Sequence, residues 1–374
     1  MWRAGLLICV VASALIGVPA SAHAGRHAAP GWVGVTADGS LFDPRVDQDA
    51  EFDTMAADGV EAVRVAFYWS EAQPYESWDD VPDAERGRFV DAGGIPTDFS
   101  APDAVVARAA ARDIDVLPVV LWAPRWARVS RGRIASPPEA KTYAAFVAQL
   151  ARRYGSSGTF WKQNPTLRRN PVRDWQVWNE PTVEGFWTEQ PFADRYVDLL
   201  RATRPRLRAA DPGARLILAG LVYESWKPLE DIYEAGARGL FDAVAVHPFT
   251  NKLDDLVTIL ERVRAVMARH KDDRMPLFVT ELSYPSSLGK AERFGYETTE
   301  AGQAKRLARA FARLAEERRR LRIERVHWYT WMSPDTGNYP FDYAGLRRLG
   351  PRGVVDKPAL AAFRKTVLAL EGRR

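Results

Sequence analysis

Eight short, strand-like apolar runs recur along this chain, with helix-like segments between them. The runs are Trp32–Thr36, Ala62–Tyr68, Asp115–Leu121, Asp174–Trp178, Arg215–Ala219, Phe241–Val246, Leu277–Thr280 and Ile323–Thr330. Several are rich in Val, Ile, Leu and aromatics, as expected of strands covered on both faces. The clearest helix is expected over residues 137–154, where Tyr143, Phe146, Val147, Leu150 and Tyr154 recur at helical spacing. Ala304, Leu307, Ala308, Phe311 and Leu314 repeat that spacing. Ser100-Ala101-Pro102-Asp103 supplies a capped start for the second helix. Eight strand–helix units over about 340 residues are the count of an α/β (β/α)8 TIM barrel. A doubly wound open sheet would show the same alternation. No linker, low-complexity tract or repeat divides the chain, so one domain is expected over 25–374.

Two glutamates favour the barrel. Glu180, in Trp178-Asn179-Glu180-Pro181, follows the fourth run, and Glu281, in Phe278-Val279-Thr280-Glu281, ends the seventh. Barrel enzymes gather their chemistry at the C-terminal ends of the strands. Strands four and seven face each other across an eight-stranded barrel, so both carboxylates can flank one ligand. Two facing carboxylates titrate apart, one staying protonated near neutral pH and the other ionised. That division of labour is what glycosidic bond cleavage needs, with the carboxyls about 5–5.5 Å apart in retaining enzymes. Glu180 is the candidate acid/base and Glu281 the candidate nucleophile. Taken singly, either glutamate reads as a strand-end salt bridge.

The amino terminus reads as a secretory signal. Arg3 precedes an apolar stretch from Ala4 to Val18, and Ala22-His23-Ala24 offers small residues for cleavage after Ala24, with cleavage after Ala22 as the alternative. An apolar run of about 15 residues is short for a bilayer span. Cys9, the only cysteine, lies inside that segment, so the mature chain is expected to have neither disulfides nor a thiol nucleophile. The formal charge of +4 is small for 374 residues and does not suggest nucleic acid. The expected partner is carbohydrate, with the protein acting as a monomer at the cell exterior or in the periplasm.

Trp178-Asn179-Glu180-Pro181, followed by Gly185-Phe186-Trp187, resembles the acid/base segment of clan A glycoside hydrolases. The resemblance is nearest to family 39, the β-xylosidase and iduronidase group, with the family 5 cellulase group as the neighbouring option. Phe278-Val279-Thr280-Glu281 resembles the clan's nucleophile strand, and Phe241 to Pro248 its sixth strand. The resemblance implies action on β-linked sugars without metal or organic cofactor. It assigns Asn179 to the sugar 2-hydroxyl, Arg64 to holding the nucleophile ionised, and His247 to the sugar subsite. Trp331 is implied as an aromatic floor, and Trp122 is a candidate wall. On their residues alone, Arg64 reads equally as a structural ion pair, His247 as a core histidine, and either tryptophan as core packing.

Two positions depart from the family pattern. Phe249 stands where many members carry a tyrosine close to the nucleophile, and Thr182 where family 39 often has Asn. Tyr284, three residues past Glu281, is the candidate substitute for the missing hydroxyl. The departures leave a second class open, a catalytically silent sugar-binding barrel. Other chemistries lack support: His247, His270 and His327 show no metal-ligand spacing, and neither a Gly-x-Ser-x-Gly elbow nor a phosphate-cradling glycine loop occurs. The long loops 70–99, carrying Tyr75 and Trp78, and 332–356, carrying Tyr339, Phe341 and Tyr343, are expected to wall the site.

Overall fold

A computed structural model of the chain describes residue 28 and residues 30–373. The expected leader, with Cys9, lies outside the described residues. Among those residues no helix is long and apolar enough to cross a membrane.

Apart from short helical segments and two small sheets carried in the loops, strands and helices alternate along the chain. They are β1 (Val33–Thr36), α1 (Gln48–Ala57), β2 (Ala62–Tyr68), α2 (Ser100–Ala110), β3 (Asp115–Leu121), α3 (Ala140–Tyr154), β4 (Asp174–Val177) and α4 (Ala193–Ala210). The second half continues with β5 in two pieces (Arg215–Ile217 and Leu221–Val222), α5 (Trp226–Glu234), β6 (Val244–His247), α6 (Leu253–Arg269), β7 (Leu277–Leu282), α7 (Glu300–Glu317), β8 (Ile323–Trp328) and α8 (Pro358–Leu370).

All eight strands are parallel, and the sheet closes on itself. Val35 pairs with Val63 of β2 on one side and Trp328 of β8 on the other. The two pieces of β5 bridge β4 to β6, through Gln176 opposite Ile217 and Leu221 opposite Val246. Closure decides for the barrel and against the open sheet.

The barrel interior is layered. At the bottom, Asp174 holds Arg215 at 2.6 Å, and Arg325 reaches Asp115 at 2.9 Å. Above them Leu117, Ile217, Ala243, Ala245 and Phe278 form a separate apolar cluster. The larger core fills the space between sheet and helices. In α3 the expected stripe is buried as a set: Tyr143, Phe146, Val147, Leu150 and Tyr154. The start of α2 differs from expectation. The helix does begin at Ser100, but Asp98 accepts its backbone N–H at 2.8 Å. A carboxylate two residues upstream reaches a free N–H that the Ser100 hydroxyl does not.

Candidate active site

The strand ends aim Arg64, Asn179, Glu180 and Glu281, among others, into one cavity of about 490 Å3 at the C-terminal mouth. Arg64 projects inward from β2 and is almost fully buried. Its guanidinium donates to Glu281 Oε1 at 2.6 Å, Asn179 Oδ1 at 2.7 Å and Gln176 Oε1 at 2.8 Å. These three bonds tie β2, β4 and β7 together at the level of the site. A buried cation needs such partners, and the bond to Glu281 is charge-assisted.

Glu180 approaches from the opposite side. Its Oε1 lies 2.6 Å from His247 Nδ1, while His247 Nε2 lies 3.5 Å from Glu281 Oε1. Donor atoms of Glu180, His247 and Glu281 all fall within 4.8 Å of one another. Room for the imidazole comes from Gly220, in the gap between the two pieces of β5. A Cβ there would lie 2.0 Å from His247 Nε2. Sequence spacing cannot reveal this three-residue grouping, because the members sit on strands four, six and seven. The same donors could in principle hold a cation. The Arg64 guanidinium already occupies the charge-balancing position against Glu281, which argues for proton chemistry.

Burial pushes the Glu180 carboxyl up to about 7, with the Arg64 charge opposing. Burial also raises Glu281, opposed by His247 and Arg64. Of the two, only Glu281 has a cation in contact, so it ionises first. Burial drives His247 down to about 3, so the imidazole is neutral at physiological pH. A protonated Glu180 can then donate to Nδ1, leaving Nε2–H facing the ionised Glu281.

The backbone at the mouth is bent to achieve this. Trp122, Trp178, Glu180 and Tyr223 all take positive φ (58°, 68°, 40° and 54°) at the ends of β3, β4 and β5. Such conformations are costly for non-glycine residues and concentrate at working sites.

Aromatic rings wall the cavity on two sides. Trp122 stacks on Phe186 at 5.5 Å, with Tyr223 nearby in the same lining. A second aromatic group in the lining has Phe341 packed on Phe249 at 4.8 Å and on Tyr329 at 5.5 Å. Phe249 belongs to this apolar wall.

Two expected site residues lie elsewhere. Trp331 is fully buried outside the cavity, its indole N–H donating to Glu51 of α1 at 2.8 Å. The chain changes side at Thr330, whose hydroxyl bonds Thr36 O and Asp38, so Tyr329 rather than Trp331 faces the site. Tyr284 points away as well, packed on Trp328 and under the Arg306 guanidinium at 5.5 Å. The hydroxyls near the carboxylates come instead from Tyr329 and Tyr339.

Sequence reading missed Asp38, Tyr68, Tyr329 and Tyr223. The first three were findable by strand parity. They continue the inward positions Thr36, Arg64 and His327 in steps of two. Of the long loops, 332–356 contributes Tyr339 and Phe341, whereas Tyr343 is buried. In loop 70–99, Tyr75 packs on Phe89 and Trp78 bonds Asp91, so neither lines this cavity.

No protein-family model and no curated protein matches the chain. Its fold is shared with solved structures. It is similar to a family 39 glycoside hydrolase from Bacteroides cellulosilyticus WH2, at 17% identity and TM-score 0.66, over 93% of this chain and 65% of that one. A monomeric β-xylosidase from Caulobacter crescentus CB15 aligns at 19% identity and TM-score 0.61, over 91% and 68%. The GH53 catalytic domain of Ignisphaera aggregans aligns at 17% identity and TM-score 0.57, over 96% and 99%. The chain thus spans about two thirds of the length of the first two and nearly all of the third.

Proposed function

We propose that this chain is a secreted, monomeric, retaining glycoside hydrolase of the family 39 type, acting on β-linked sugars. The observation that carries the reading is the pair of carboxylates facing each other within 4.8 Å, one proton-bearing and the other on an arginine. Similar barrels in family 39 hydrolases support it.

On this reading Glu281 attacks the anomeric carbon while Glu180 gives its proton to the departing oxygen. The C–O bond to the leaving sugar breaks as the glycosyl–Glu281 ester forms. Glu180, now ionised, takes a proton from water, and that water opens the ester. Arg64 keeps Glu281 an anion between turnovers. Asn179 spends its oxygen on Arg64, which leaves its NH2 to donate to the 2-hydroxyl. His247 holds Glu180 in place from Nδ1. Trp122 and Phe186 offer ring faces to the sugar's C–H groups.

A panel of 4-methylumbelliferyl β-glycosides (xyloside, glucoside, galactoside) tests the assignment with the wild-type chain and Glu281→Gln. Turnover by the wild type, lost ~10³-fold or more in the variant, is the expected result on the scale of removing a nucleophile. A variant as fast as wild type on every accepted glycoside would end the assignment. The leader is tested separately, by sequencing the amino terminus of protein recovered outside the cell. Cleavage after Ala24 or Ala22 is expected, and an intact Met1 would refute it.

A further inference from the structure

A second cavity, of about 670 Å3, opens on the same face of the barrel, between the outer sides of β1 and β2 and the first turns of α2. Its size falls in the range of sugar- or drug-sized ligand pockets. Its lining is mixed: Phe42, Phe67 and Val105 are apolar, and Gln48, Ser100 and Arg108 are polar. It shares Asp38, Val65, Ala66 and Tyr68 with the catalytic cavity, so the two chambers are neighbours across a common wall.

Asp38 and Tyr68 stand on that wall. Tyr68 is 37% exposed, one of few large aromatic side chains left open to water, and its neighbour in both linings is a carboxylate. Asp38 accepts hydrogen bonds from the Thr330 hydroxyl at 2.7 Å and from Tyr329, and no ion pair engages it among the described residues. It keeps lone pairs free for ligand hydroxyls. An exposed ring beside a carboxylate matches a sugar's two faces, C–H groups on the ring and hydroxyls on the oxygens.

The wall also has a direction. Tyr223 lies close to Glu180, the proposed proton donor, Trp122 and Phe186 line the same cavity, and these rings are taken to mark the side where the leaving group departs. Asp38 lies on the other side, where its charge bears on Glu281. The second chamber therefore lies beyond the reacting sugar on its non-reducing side.

We infer, resting on the glycosidase reading above, that Asp38 and Tyr68 bind the sugar preceding the one cleaved and that the substrate chain continues into the second chamber. The substrate class is then an oligo- or polysaccharide entered away from its non-reducing end, rather than a terminal sugar trimmed singly.

The test is a length series on the full chain: 4-methylumbelliferyl β-xyloside, xylobioside and xylotrioside, with the glucoside, cellobioside and cellotrioside in parallel. Direct release of the fluorophore without a lag is expected from the longer probes. Their kcat/KM should exceed the monoglycoside value by about tenfold or more, the equivalent of ~1.4 kcal/mol. Tyr68→Ala should remove most of that gain. Ala101→Trp, at an exposed position lining only the second chamber, should cut the trioside gain, with circular dichroism checking the fold. A lag on the biosides, or a monoglycoside rate equal to theirs, overturns the inference while leaving the glycosidase reading intact. Absence of turnover on all six probes and on the β-galactoside of the first panel overturns that reading, and the inference with it.

Discussion

Glu180→Gln should make the protein more stable, and by an amount that depends on pH. The Glu180 carboxyl is raised from 4.5 to about 7, chiefly by burial. At 1.36 kcal/mol per pKa unit, that rise corresponds to roughly 3 kcal/mol. Its sign follows from proton binding. Between pH 4.5 and about 7 the native chain holds a proton that the unfolded chain has released. The contribution to stability is fully present below 4.5 and is lost as pH rises through 7, where a buried carboxylate must be carried. Gln is neutral at every pH, and its NH2 can replace the donor that a protonated Glu180 offers His247 Nδ1. Urea unfolding of both proteins at pH 4.5 and pH 8 isolates the effect, because Glu281 and His247 are common to both. The difference should be near zero at pH 4.5 and roughly 3 kcal/mol in favour of Gln at pH 8. An equal difference at the two pH values would refute the assignment of Glu180 as the proton-bearing carboxyl.

Arg64→Met leaves Glu281 buried beside an apolar group. Unfolding should become easier by about 3–5 kcal/mol, the cost of breaking a buried charge pair, and kcat/KM should fall at least ~10²-fold. Retention of both by urea titration and rate measurement would show that Arg64 is dispensable. Gly220→Ala puts a methyl where the His247 ring now sits, 2.0 Å from Nε2. Displacement of about 1 Å can cost ~10²-fold in rate, so a folded variant with normal kcat would count against His247 positioning Glu180. Trp331→Phe removes the donor to Glu51, which Arg347 still holds at 2.7 Å. A loss of about 1–3 kcal/mol in urea is expected, with KM unchanged. A raised KM would restore Trp331 to the binding site.

Most of the barrel was legible because parallel strands buried on both faces are written as apolar runs. All eight runs overlap observed strands. The errors fall where tertiary contacts override the local pattern. The fifth run, read as continuous from Arg215 to Ala219, stops at Ile217 and resumes at Leu221, and Gly220 in the gap leaves its side-chain space to the His247 ring. The carboxylate pair was legible from strand-end position alone. Its electrostatics were not, since Arg64, His247 and Gln176 reach it from other strands. Trp331 and Tyr284 were misplaced for one reason: beyond a strand end, distance along the chain no longer tells which way a side chain points. Tyr329 and Trp331 share the parity of His327, so only the Thr330 hydroxyl's turn back to Thr36 separates them.

The central claim is that Glu180 and Glu281 act on a single sugar from two sides at nucleophilic distance. One oxygen of each carboxyl lies within 4.8 Å of the other, closer than the roughly 6.5–9.5 Å at which inverting enzymes hold their carboxyls around a water. Proton NMR of the first product formed from an accepted β-glycoside reads this geometry directly. The account predicts that the β anomer appears first and then mutarotates. An α anomer as the first product would contradict it.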